Sequence, residues 1–101
     1  MKLPSKVIIA GSEWKVVQDL KKGGGSFTTY DKIMRVGTEA KQHIFGIFLH
    51  ETMEAICTMR DIRYKGCNSE DYLFIMDHKQ FVHFVQDLEI ALKDVIKPHS
   101  R

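Results

Sequence analysis

Between Glu39 and about Asp61 the apolar residues recur at helical spacing, and this stretch restricts the possible folds more than any other. Ile44, Phe45, Phe48, Leu49, Met53, Ile56 and Met59 give a helix with a wide apolar face. Thr38 precedes it and suits the N-cap, because its hydroxyl can accept an unpaired N–H of the first turn. Gly46 falls inside the helix, where glycine costs about 1 kcal/mol against alanine, so close packing against a neighbour is expected there. A helix with such a face requires a second layer to cover it.

The segments on either side supply that layer. Val7–Ala10 and Trp14–Val17 are short β-rich runs, and Gly11-Ser12 between them signals a hairpin. Lys21 to Ser26 carries three consecutive glycines and reads as a loop. It lacks the Gly-Lys-Ser/Thr ending of a phosphate-binding loop, so a simple connection is expected. Phe27–Tyr30 and Ile33–Val36 form a second hairpin around Asp31-Lys32. Arg63 to Asp71 is polar, contains Gly66 and Asn68, and reads as a connection. Asp77 opens a last helix with a capping box to Gln80. Phe81, Val85, Leu88, Leu92 and Val95 then repeat at helical spacing until Pro98. The expectation is an α+β domain over residues 1–101, with two long helices packed on one face of a small antiparallel sheet of two hairpins.

Composition narrows the function. Apolar residues at 44% and charged residues at 28% are ordinary globular values. A net charge of +2 gives no basic stripe for nucleic acid and no attraction to an anionic membrane. No run is long enough to span a bilayer, and the apolar run near the N-terminus is too short for a secretory signal. Cys57 and Cys67 are too few for a disulfide framework and read as reduced thiols. A soluble cytoplasmic protein is expected.

Within the first helix stands Leu49-His50-Glu51-Thr52-Met53-Glu54-Ala55. His50 and Glu54 are one turn apart on one face, about 6 Å along the axis, so both can reach one ion. Glu51 is rotated by about 100° to the edge of that face, where it can take a proton from water as a general base. With 5 His and 6 Glu in the chain, a His-Glu-x-x-Glu run is expected by chance about 0.02 times. The flanking sequence is apolar, and unpaired carboxylates there are costly, which a cation would relieve. A third ligand must come from elsewhere. His43 and Cys57 each lie seven residues from His50, about 10 Å along the axis and too far for the same ion. His43 reads as a partly buried structural residue or as a residue at the site entrance, and Cys57 as a small core residue. His99 is in the tail. His78 and His83 point roughly 140° apart on the last helix, so only one can join. His78, beside the helix cap, is the choice. His50, Glu54 and His78 make two imidazoles and one carboxylate, a combination used for catalytic Zn2+.

The order of features resembles the zincin-like metallopeptidases of the ImmA/IrrE type, in particular small phage- and prophage-encoded members with His-Glu-x-x-Glu. Gly25 to Met34 looks like their hairpin, Phe48 to Ile56 like the active-site helix, and Asp77 to Phe81 with Leu88 and Leu92 like the second helix. The likeness covers most of the chain after about residue 13. It departs from the commoner pattern, since Glu54 replaces the usual second histidine and His78 the usual carboxylate. The resemblance implies a zincin-like fold, Zn2+ held by His50, Glu54 and His78, and Glu51 as the catalytic base of a hydrolase acting on a polypeptide. Tyr64, Tyr72 and His83 are candidates for stabilising an oxyanion. The alternative is a non-catalytic module of phage origin that keeps the metal as a staple and binds a partner protein.

Overall fold

The computed structural model describes residues 3–65 and 72–93. The expectations for Gly66, Cys67 and Asn68, and for Val95, Pro98 and His99, fall outside these. The elements follow in the order β1 (Lys6–Ile9), β2 (Ser12–Asp19), β3 (Gly25–Thr28), β4 (Ile33–Gly37), α1 (Ile44–Met59), β5 (Arg63–Lys65), β6 (Tyr72–Phe74) and α2 (His78–Leu92). A 3₁₀ turn, Lys41–His43, leads into α1.

Both expected hairpins form. The first turns at Ala10-Gly11, one residue earlier than the sequence signal, and both residues have positive φ (49° and 81°). That pairing matches the twist of the flanking strands, and Gly11 adopts it without a Cβ penalty. The second hairpin pairs β3 with β4.

The sheet is mixed, not wholly antiparallel: its order is β1-β2-β4-β3, with β2 and β4 parallel. The second hairpin docks through its later strand. Met34 and Val36 on β4 are fully buried, whereas β3 (Gly-Ser-Phe-Thr) has only Phe27 to cover. Placing the apolar strand at the centre and the polar one at the edge buries more apolar surface. Val7, Ile9, Trp14, Val16, Met34 and Val36 form the inner face, while Lys6, Ile8, Glu13 and Lys15 face outward. Both helices cover the inner face as expected, α1 over β4 and β3 and α2 against β1 and α1.

Four local expectations are corrected. Thr38 is buried and does not cap the helix; α1 starts six residues later behind His43, which makes no side-chain cap bond. A Cβ at Gly46 would meet nothing within 4 Å, so that glycine serves no close packing. The face of α1 is rotated: Phe48, Glu51, Thr52, Ala55 and Ile56 are buried, while Met53 is 36% exposed. On α2 the buried residues are Phe84, Asp87 and Ala91, and Phe81 and Val85 are about half exposed (49% and 46%). The capping box of Asp77 and Gln80 forms as expected. Polar contacts set the helix pairing. Arg60 at the end of α1 donates from Nε (2.6 Å) and Nη2 (2.9 Å) to the buried carboxylate of Asp87. A third hairpin, β5 with β6, stands where the sequence suggested only a connection.

Candidate metal centre

The rotation of α1 determines the character of the site. Thr52 and Phe48 point into the core, where Thr52 Oγ1 donates to Met34 Sδ (3.7 Å). His50, Glu51 and Glu54 are thereby carried to the rim of the helix facing the edge strand. There β3 comes as near as a backbone can. A Cβ on Gly25 would stand 2.6 Å from Glu51 Cγ and 2.9 Å from Ile47 Cγ2. Glycine is required at such an approach.

His50 Nε2 contacts Glu54 Oε2 and lies 3.9 Å from Glu51 Oε2. One ligand atom from each of the three residues falls within 4.8 Å of the others, the one such His/Cys/Asp/Glu group among the described residues. Exposure is graded across it: the His50 side chain is 64% exposed, Glu54 22% and Glu51 10%. Burial pushes the Glu51 carboxyl above its ordinary range; His50, Arg63 and Lys22 oppose the shift, and Glu54 adds to it. Glu51 thus holds a proton more readily than a free glutamate.

Arg63, from β5, completes the surroundings. Its Nη2 lies 3.1 Å from Glu54 Oε1, and its Nη1 donates to Thr58 Oγ1 (3.2 Å). Thr58 Oγ1 donates in turn to the Glu54 carbonyl (2.9 Å). The guanidinium also lies over the Phe27 ring, 5.4 Å from its centroid. Glu54 therefore presents one oxygen to Arg63 and the other to His50. The sequence reading placed Arg63 at the start of a connection and missed this role. The available signal was the unmet demand of a half-buried carboxylate for a cation, which does not say which cation answers it.

A groove of about 740 Å³ runs along the cluster, lined on one side by residues 25–30 and on the other by His50, Glu51, Glu54, Thr58 and Arg63. A smaller depression of about 400 Å³ on the far side of His50 is lined by His43, Gly46 and Ile47. His43 is exposed there, so it belongs to the entrance and not to the interior. Cys57 is a free, buried core thiol as expected, its pKa raised by burial.

Of the residues singled out in the sequence, the structure brings His50, Glu51 and Glu54 together. His78 is exposed on the first turn of α2 and stands outside their group. Tyr64 Oη donates to the Asp61 carbonyl, which ties it to its own turn. His83 is half-buried on α2, and the side chain of Tyr72 lies outside the described set.

The donor set suits a divalent cation. One imidazole and two carboxylates supply nitrogen and oxygen, and their two negative charges would match a doubly charged ion. No family model, no curated protein and no solved structure matches this chain. The likeness to His-Glu-x-x-Glu proteins therefore rests on the His50-Glu51-Glu54 cluster itself.

Proposed function

We propose that this protein is a divalent-metal hydrolase, with Zn2+ the first candidate and a polypeptide the first candidate substrate. The observation that carries the reading is the convergence of ligand atoms of His50, Glu51 and Glu54 within 4.8 Å at the wall of an open groove. His50 and Glu54 hold the ion. His78, exposed on the first turn of α2 and outside this group, is the third protein ligand that the sequence nominates, and Glu51 is assigned to proton transfer. A bound cation supplies Lewis acidity to the reaction. Glu51 accepts a proton from the attacking water and returns it to the leaving amine, so that peptide plus water gives a carboxylic acid and an amine. Its raised pKa suits that exchange. Arg63 keeps Glu54 turned toward His50.

Metal titration tests the reading. Zinc at a hundredfold over its Kd should stabilise the fold by about 2.7 kcal/mol, and His50→Ala and Glu54→Ala should abolish that gain. Protein purified without chelator that carries less than about a tenth of an equivalent of divalent metal refutes it. His78→Ala should weaken zinc by more than about tenfold; no change would make Glu51 the third ligand.

A second reading, a metal-stapled interaction module, is favoured by one observation. Leu73, Phe74 and Ile75 are 54%, 50% and 60% exposed, a run that suits contact with a partner protein. Glu51→Gln separates the two: it abolishes turnover under the first reading and leaves function unchanged under the second.

A further inference from the structure

A third cavity, of about 360 Å³, opens between α1, β6 and α2, and two of its lining residues are His50 and Glu54. The remainder of its wall is apolar: Met53, Cys57, Phe74, Met76 and Phe84. Cys57 and Phe84 are buried (5% and 8% exposed) and form its floor, while Met53 and Phe74 are 36% and 50% exposed and form its rim. We propose that this cavity is the specificity pocket of the site, receiving one large apolar side chain (Leu, Met or Phe) of a peptide whose scissile bond lies at His50 and Glu54. The proposal rests on the hydrolase reading above and names the substrate class for it.

Three features support it. The pocket and the groove share His50 and Glu54, so a chain seated in the groove passes the pocket mouth at the reacting atoms. The two depressions divide the work: hydroxyl and charged side chains of Ser26, Thr28, Thr58 and Arg63 line the groove, where a peptide backbone needs partners, and apolar side chains line the pocket. The volume lies at the lower end of the roughly 300–1,000 Å³ usual for ligand pockets, which is ample for one large apolar side chain. The pocket also gives a reason for exposing Met53 and Phe74, and methionine at a rim can adjust to more than one apolar shape.

The test uses two metal-chelating probes on the zinc-loaded full chain: acetohydroxamic acid and 3-phenylpropionohydroxamic acid. Calorimetric titration should give at least about tenfold tighter binding for the phenyl compound, the discrimination expected of an apolar pocket. Met53→Ser and Phe74→Ser, both at the exposed rim where truncation spares the core, should each cut that ratio to less than about threefold. In ¹³C-methyl spectra the Met53 and Met76 resonances should shift with the phenyl probe and stay in place with acetohydroxamate. Equal affinities for the two probes, or a preference that survives both substitutions, overturns the pocket while acetohydroxamate binding leaves the metal reading intact. Absence of zinc uptake in the preceding metal titration overturns the metal reading, and the pocket assignment with it.

Discussion

Gly25 is where the edge strand meets the site helix, and one added methyl group there tests the packing that presents Glu51. In Gly25→Ala the new Cβ would lie 2.6 Å from Glu51 Cγ, 2.9 Å from Ile47 Cγ2 and 3.1 Å from the Arg35 carbonyl oxygen. Ordinary carbon contacts are about 3.5–4.0 Å, so α1 and β3 must part by up to roughly 1 Å. The Arg35 oxygen is backbone in the paired strand and cannot retreat alone, and Glu51 Cγ is too near the main chain to swing aside freely. Overpacking of this kind costs about 1–3 kcal/mol. In a domain of this size each kcal/mol is worth roughly 4–8 °C, so the melting temperature should fall by about 5–20 °C. Thermal unfolding followed by circular dichroism measures it, with Gly24→Ala as the control, since a Cβ there meets nothing within 4 Å. Gly46→Ala, equally free of neighbours but inside α1, should instead raise the melting temperature, by the propensity gain of about 0.5–1 kcal/mol. If Gly25→Ala melts within about 2 °C of the parent, β3 does not approach the helix as described and the geometry around Glu51 is wrong.

Other consequences are equally direct. Asp87→Ala strands Arg60 at the α1–α2 junction; because Arg60 keeps 34% side-chain exposure, the cost should be about 2–3 kcal/mol, below the range for a fully buried pair, read as a lower urea midpoint. The pH dependence of metal-free protein follows from Glu51. Its folded-state pKa lies above the unfolded value, so its contribution favours folding at low pH and is lost as pH rises through the folded value. The stability advantage of Glu51→Gln over the parent should therefore grow between pH 4 and pH 8, and a constant difference in urea midpoints would contradict the assignment. Arg63→Met should weaken zinc binding by about 10–100-fold by releasing Glu54, and Arg63→Lys should recover part of the loss, both read by competition with a chromogenic chelator.

Local signals were legible in the residues themselves. The first hairpin, whose turn falls one residue before the Gly11-Ser12 signal, the hairpin at Asp31-Lys32, the capping box at Asp77 and the helical spacing of His50 and Glu54 each involve groups within about four residues of one another, and the structure forms all of them. The registers of α1 and α2 were read less well, because apolar periodicity gives the width of a face but not its centre. Thr52 and Asp87 are buried against partners 18 and 27 residues away, and they draw each helix round toward those contacts. No helix among the described residues is long and apolar enough to cross a membrane, in line with the hydropathy of the sequence.

The pattern of residues did not single out the order of strands, the hairpin of β5 and β6, or Arg63 as the partner of Glu54. Each is a choice among distant partners. The chain encodes how much apolar surface a strand must hide and how much charge a carboxylate must balance, but several arrangements meet those demands at short range. Which of them prevails depends on the sum of burial over the whole domain: β4 takes the centre because Met34 and Val36 are covered there, and β3, left at the edge, becomes the wall of the site.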